Sequence, residues 1–96
     1  MDILVTYDIA DTLGAGSKRL RTVADACSRY GSRAQFSVFE CRVTPVSLLK
    51  LQHELEDAID PAVDSVHIYQ FHGTLANART SLGIVKHHDV DKPWFL

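Results

Sequence analysis

Long hydrophobic runs are missing from this 96-residue sequence, and so are the cysteines of a disulfide-rich protein. No apolar run approaches the roughly 18 residues that a helix needs to cross a bilayer, so the sequence predicts no membrane span. The two cysteines, Cys27 and Cys41, are too few for a disulfide scaffold, and we expect them to be reduced and buried. The first residues contain neither a basic stretch nor a small-residue cleavage site. We therefore expect no signal peptide and a cytoplasmic protein.

The sequence also has little net charge, −2 at neutral pH, and it lacks a glycine-rich phosphate loop and paired zinc-binding cysteines. The charges are unevenly distributed, however. Six of the ten basic residues lie within 25 positions: Lys18, Arg19, Arg21, Arg29, Arg33 and Arg42. An acidic group follows at Glu54, Glu56, Asp57, Asp60 and Asp64. This pattern indicates either a basic face that attracts a polyanion or two solvated helix faces of opposite sign.

Hydrophobic periodicity predicts one domain in the order strand–helix–strand–strand–helix–strand. The predicted elements are residues 2–9, 17–30, 34–43, 45–60 and 65–72, with residues 34–43 forming two short strands or one sharply bent strand. Phe36 and its alternate neighbours are expected to point inward up to Val38, after which the apolar set continues from Phe39 in the opposite phase. We therefore place the break between Val38 and Phe39. This order predicts an α+β, ferredoxin-like β-α-β-β-α-β sandwich with both helices on one face of an antiparallel sheet. Residues 82–85 can add a short fifth strand.

Asp8 is the first candidate for chemistry, because it is a lone carboxylate at the end of an apolar strand that enters a glycine-containing loop. Such a carboxylate can bind a hard cation such as Mg²⁺, or it can cap the loop by accepting backbone N–H bonds. Asp11 is the only other acid nearby in the sequence. A two-fold dimer would bring two copies of Asp8 to one cation, so the count of ligands predicts a homodimer.

Basic residues are the candidates for nucleic-acid binding. Lys18, Arg19 and Arg21 lie in the first turns of the first predicted helix, where they oppose the helix dipole. They can strengthen phosphate binding at the helix N-terminus, or they can form a solvated face. Arg33 begins the second strand, where it can contact a nucleic-acid backbone or pair with an acid of a neighbouring chain.

Phe39 lies at the change of apolar phase, which leaves two interpretations open. Its ring either faces the core or is exposed and stacks on a base. Ser37 has no nearby base that would make it a nucleophile. The two adjacent histidines at positions 87 and 88 form a poor metal site, because neighbouring residues of a strand point to opposite faces.

Three motifs occur in order along the chain: Tyr-Asp-Ile at residues 7–9, Arg-Leu-Arg-x-Val-Ala at residues 19–24, and Gly-x-Arg-x-Gln-x-Ser-Val-Phe-Glu-Cys at residues 31–41. Together they resemble the small dimeric nucleases of CRISPR spacer acquisition, the Cas-two family. The resemblance covers residues 2–43 and returns at residues 64–69. It implies a ferredoxin-like homodimer in which the C-terminal strand of one chain extends the sheet of the other. Residues 1–80 would then form the nuclease-type domain, and residues 81–96 would form the C-terminal strand and an apolar tail that docks on the partner chain.

The resemblance also implies a function and its residues. Asp8 is expected to bind Mg²⁺ or Mn²⁺, and the other catalytic positions are expected at Arg19, Arg21, Arg33, Ser37 and Phe39. The expected nucleic-acid contacts are Lys18, Arg19, Arg21 and Arg33. The expected activity is metal-dependent endonuclease cleavage of RNA or DNA. The alternative is a non-catalytic dimeric scaffold that binds duplex DNA and bridges subunits of the CRISPR integrase.

Overall fold

The computed structural model of the protein describes residues 1–83, and these contain the predicted order of strands and helices. The strands are β1 (Asp2–Asp8), β2 (Gly31–Gln35), β3 (Val38–Arg42) and β4 (Ser65–Gln70). The helices are α1 (Ser17–Ser28), α2 (Pro45–Ala58) and the short α3 (Leu75–Ala78). Strand β1 thus ends one residue earlier than the sequence predicts, and β4 ends two residues earlier.

The sheet is antiparallel, and its strand order is β2-β3-β1-β4. One face of the central strand β1 presents Ile3, Val5 and Tyr7, which are buried in the core with residues of α1 and α2. A sheet with one face covered by helices separates apolar from polar positions with a period of two, as β1 does apart from Leu4 on its other face. The predicted ferredoxin-like fold is confirmed. The homodimer lies beyond a single chain and stays a prediction.

Helix α2 begins as the sequence predicts. The hydroxyl of Thr44 accepts a hydrogen bond from the backbone N–H of Ser47 at 3.1 Å, and Pro45 occupies the first helical position. Its buried stripe is formed by Leu48, Leu51 and Leu55. The start of α1 differs from the prediction, because Gly16 rather than Ser17 is the N-cap residue. A Cβ atom at Gly16 would lie 1.8 Å from the carbonyl oxygen of Ala10, so the loop can fold this tightly only with glycine there.

The break between β2 and β3 lies at residues 36–37, two positions earlier than predicted. The pairing register shifts between Arg33 and Gln35, so a bulge in β2 absorbs part of the phase change. As a result Phe36 is exposed, although the alternation predicts that it points inward. The two strands therefore form a bulged hairpin and not one bent strand.

Cys27 and Cys41 are free and buried, as predicted. Burial raises the pKa of Cys27 to about 11 and that of Cys41 to about 12. No helix within residues 1–83 is long and apolar enough to cross a membrane. Residues 84–85 of the predicted fifth strand lie outside the described residues, and so do residues 84–96 of the predicted C-terminal segment. The division of the chain at residue 80 stays a prediction.

Candidate functional site at the Asp8 end of the sheet

Four parts of the fold meet where β1 ends. Asp8, the last residue of β1, pairs with Ser65, the first residue of β4. The backbone N–H of Tyr7 donates a hydrogen bond to the carbonyl of Ser37 at 3.1 Å, which joins the β2–β3 turn to the same end. The loop after β1 leads directly into the first turn of α1. We call this region the Asp8 end. It contains Asp8 and Ser37, and Arg19 reaches it through Asp64. Lys18 and Arg21 lie in the first two turns of α1, and Arg33 and Phe39 pair with each other opposite Val5, farther along the sheet.

The side chain of Asp8 is exposed, and within residues 1–83 it has no hydrogen-bond or ion-pair partner. Two other carboxylates cap the loop. The N–H of Ala10 donates to Asp64 Oδ1 at 2.8 Å, and the N–H of Ala15 donates to Asp11 Oδ2 at 3.0 Å. Within the described residues Asp8 therefore does not cap the loop, which was one of its two interpretations. The carboxylate is free to accept a ligand.

A hard cation fits this carboxylate but needs more ligands than one chain offers here. Oxygen ligands are those that Mg²⁺ prefers, and Asp8 supplies one such group. Across the described range no three His, Cys, Asp or Glu side chains come together as a metal site. The donor set at the Asp8 end is thus a single free carboxylate per chain.

Arg19 differs from its basic neighbours because it is committed to an ion pair. Its Nε donates to Asp64 Oδ2 at 2.8 Å, and its Nη2 donates to the carbonyl of Ala10 at 3.1 Å. The side chain of Asp64 is completely buried. Its pKa is lowered to about 2, chiefly by the hydrogen bond from Arg19 and further by the backbone N–H groups of Asp60 and Ala10, against the cost of burial.

Sequence reasoning missed the role of Asp64, which it assigned to a group of solvated acids. The available signal was its position directly before an apolar strand, where an aspartate commonly accepts backbone N–H bonds. Its partner Arg19 lies 45 positions earlier, and no local pattern joins the two. The predicted contact of Arg19 with nucleic acid competes with this ion pair.

Lys18 and Arg21 of α1 and Arg33 of β2 remain available as cations. All three side chains are exposed, and none has an acidic partner within residues 1–83. The guanidinium of Arg33 lies over the ring of Phe39, with its Cζ atom 5.2 Å from the ring centroid. This cation–π contact holds the Arg33 side chain against the sheet.

Phe39 itself is buried, with only 2% of its surface exposed. It shares the core face with Val5, its partner in the ladder, and its ring stacks on that of Tyr7 with centroids 6.3 Å apart. The interpretation of Phe39 as an exposed base-stacking residue is wrong, and its alternative, a core residue, is confirmed. The exposed aromatic side chain of this end is instead Phe36, which is 90% exposed in the β2–β3 turn.

Tyr7 binds the β2–β3 turn through two hydrogen bonds. Its hydroxyl donates to the carbonyl of Phe36 at 3.2 Å, while its backbone N–H donates to Ser37. Burial raises the pKa of Tyr7, and the positive charge of Arg33 opposes the change. Ser37 is half-buried and contributes its carbonyl to the turn, with no hydrogen bond from its hydroxyl in the part of the chain that the structure describes.

Comparison with known proteins agrees with this geometry. Residues 1–77 match the family described as CRISPR associated protein Cas2. The chain is 40% identical over 96 residues to the CRISPR-associated endoribonuclease Cas2 1 of Moorella thermoacetica, which covers 100% of both chains. It is 40% identical over 93 residues, 97% of each chain, to the CRISPR-associated endonuclease Cas2 of Halalkalibacterium halodurans.

The fold is also that of a solved relative. The crystal structure of Streptococcus pyogenes Cas2 superposes with a TM-score of 0.79 at 43% identity, covering 86% of this chain and 100% of that one. A hypothetical protein from Thermus thermophilus, TT1823, superposes with a TM-score of 0.72 at 29% identity, covering 90% and 94%. The family match spans most of the chain, and the relatives share both its length and its fold. This chain therefore belongs to the CRISPR-associated Cas2 family of nucleases.

Proposed function

We propose that the protein is a metal-dependent endonuclease of CRISPR spacer acquisition, which acts in the cytoplasm as a homodimer and cleaves phosphodiester bonds of RNA or DNA. The observation that supports it most is the carboxylate of Asp8, which is exposed and without a side-chain partner inside residues 1–83. A free carboxylate in a chain that also carries three cations without acidic partners among its described residues suits the recognition of a phosphate through a metal ion.

The dimer supplies what one chain lacks. One Asp8 from each protomer provides two carboxylates for a shared Mg²⁺ or Mn²⁺. The edge strand β4 has a cleft of mixed polarity beside it, lined by Leu55, Ile59, Val66 and Ile68 together with Gln52 and Glu56. The edge of a sheet favours addition of another strand, and we assign residues 82–85 of the partner to it.

Each residue at the Asp8 end then has a separate part in the reaction. The metal ion, when bound, polarises the scissile phosphate and lowers the pKa of an attacking water. Asp8 holds the metal ion. Lys18, Arg21 and Arg33 bind the phosphates of the strand, and Arg33 is oriented by the ring of Phe39 beneath it. Phe36 offers an exposed ring on which an unpaired base can stack.

The decisive test is the variant Asp8→Asn, which keeps the shape of the side chain and removes its charge. We expect the purified protein to cleave single-stranded RNA, single-stranded DNA or duplex DNA with Mg²⁺ or Mn²⁺, and we expect both EDTA and the substitution to abolish cleavage. Circular dichroism and light scattering of the variant should match those of the wild type. Asp11→Asn is the matched control, because Asp11 caps the loop from the same region. Equal cleavage by Asp8→Asn and wild type would exclude this mechanism.

The free cations also favour a second function, a scaffold that holds duplex DNA and bridges subunits of the CRISPR integrase. Lys18, Arg21 and Arg33 can bind a DNA backbone whether or not Asp8 acts on it. Spacer acquisition in cells separates the two functions. Acquisition that survives Asp8→Asn but is lost in Arg21→Ala and Arg33→Ala indicates the scaffold. Loss in Asp8→Asn, with folding and dimerisation intact, indicates the nuclease.

A further inference from the structure

We infer that Arg19 and Asp64 are positioning residues that fix Asp8, and that Arg19 does not bind nucleic acid. This inference rests on the proposed role of Asp8 as the metal ligand. It divides the basic residues of α1 into two kinds: Arg19 acts within the protein, while Lys18 and Arg21 act on the strand.

The backbone on both sides of Asp8 is fixed by hydrogen bonds. Before it, the N–H of Tyr7 donates to Ser37 at 3.1 Å. After it, the N–H of Ala10 donates to Asp64 Oδ1 at 2.8 Å, and the carbonyl of Ala10 accepts from Arg19 Nη2 at 3.1 Å. Asp8 itself pairs with Ser65, the residue that follows Asp64. The backbone of Asp8 is therefore fixed while its carboxylate stays free.

Asp64 is the centre of this network. Its two oxygens accept hydrogen bonds from Arg19 and from the N–H of Ala10. Asp64 Oδ2 also accepts a hydrogen bond from the N–H of Asp60 at 2.8 Å. These groups belong to the loop after β1, the first turn of α1 and the loop before β4. Because the buried Asp64 carboxylate accepts hydrogen bonds from all three segments, it holds them together although they are distant in the sequence.

Arg19 has little capacity left for a phosphate. Its Nε and Nη2 donate to Asp64 and Ala10, and its Nη1 donates to the carbonyl of Ala15 at 3.3 Å. Binding a phosphate through these groups would leave the buried carboxylate of Asp64 without its cation, which is unfavourable. Arg21 lies on the same helix, and its exposed side chain has no acidic partner in residues 1–83.

Two conservative variants test the inference. Asp64→Asn keeps the size of the side chain and removes the charge, and Arg19→Lys keeps the charge but lacks the planar fork that reaches Asp64, Ala10 and Ala15 together. Arg21→Ala removes a cation proposed to bind the strand. Arg29→Ala is the matched control for losing an ion pair, because the Arg29–Glu54 pair is exposed and lies at the other end of α1.

We expect Asp64→Asn and Arg19→Lys to lower kcat by ~10- to 100-fold, since a displaced catalytic group costs rates of this order. Their KM and the salt dependence of nucleic-acid binding should stay within about twofold of wild type. Arg21→Ala should instead raise KM and reduce the slope of log affinity against log salt by about 1. Arg29→Ala should change none of these values. A raised KM in Arg19→Lys, with kcat unchanged in Asp64→Asn, would overturn the inference.

A second readout does not depend on cleavage. Titration of the protein with Mn²⁺, followed by electron paramagnetic resonance, should show binding that Asp8→Asn abolishes and that Asp64→Asn and Arg19→Lys weaken. If wild type binds Mn²⁺ but cleaves nothing, the proposed function fails. The inference is then tested by comparing the Mn²⁺ affinities of the variants with that of wild type. If Asp64→Asn and Arg19→Lys bind Mn²⁺ as wild type does, the inference is wrong, whatever the activity.

Discussion

The guanidinium of Arg33 and the ring of Phe39 lie in contact, with the Arg33 Cζ atom 5.2 Å from the ring centroid. One of the two residues is exposed and the other is buried, so the pair connects the surface of the Asp8 end to the core. A change in Phe39, which is itself buried, therefore reaches a nucleic-acid ligand through its neighbours Arg33 and Tyr7. The two phenylalanines of this region, Phe36 and Phe39, have opposite roles that mutation can separate.

We expect Phe39→Ala to destabilise the protein by about 3–5 kcal/mol, the usual cost of truncating a buried phenylalanine. The ring is 2% exposed and packs on Tyr7, so its removal leaves a cavity under the sheet. Urea unfolding followed by circular dichroism measures the change. Phe39→Leu refills most of the space and should cost less, but it removes the aromatic face under Arg33. A midpoint for Phe39→Ala equal to that of wild type would show that the ring is not part of the core.

Phe36→Ala should leave stability within about 0.5 kcal/mol of wild type, because the side chain is 90% exposed. The same variant should weaken binding of single-stranded RNA or DNA by about 1–3 kcal/mol, the typical value for a base stacked on an aromatic ring. Fluorescence anisotropy with a labelled oligonucleotide in EDTA measures binding without cleavage. Phe36→Tyr should bind like wild type. Val46→Ala is the control, because Val46 is also exposed but lies in the first turn of α2. Unchanged affinity in Phe36→Ala would remove Phe36 from the proposed site.

Periodicity and cap signals predict much of this fold because they are local. The buried stripe of α2 and the cap at Thr44 follow from residues within a few positions of one another. The turn at residues 36–37 could not be located in this way, since the bulge in β2 depends on pairing with β3. The ion pair of Arg19 with Asp64 spans 45 positions and forms only when the loop after β1 meets the start of β4. The sequence identified the basic residues of the site but could not show which one is paired.

The stability of the protein should fall in acid through Asp64. The pKa of Asp64 in the folded protein is about 2, below its ordinary value of 3.8, so the folded state binds this proton less readily than the unfolded state. The stabilisation is therefore fully present above about pH 4 and is lost as the pH falls towards 2. The pKa of Asp2 is also lowered, chiefly by the N–H of Leu75, and it contributes in the same direction.

Urea midpoints measured between pH 2 and 7 check this prediction. We expect Asp64→Asn to be less stable than wild type at pH 7 and to lose less stability on acidification, so that the two curves approach each other near pH 2. Asp2→Asn is the control for a second carboxylate with a lowered pKa. Parallel curves for wild type and Asp64→Asn would mean that the ionised Asp64 carboxylate does not stabilise the fold.

Removal of residues 81–96 should convert the dimer into monomers or aggregates. The tail contains Trp94 and Phe95, and burying a large apolar side chain contributes about 1.5–3 kcal/mol. Deletion would also remove the strand that we assign to the edge of β4, leaving the side chains of Val66 and Ile68 in the adjoining cleft uncovered. Light scattering at micromolar concentration compares the full chain with residues 1–80. A full-length chain that is monomeric under these conditions would exclude both the dimer and a metal ion shared between two Asp8 residues.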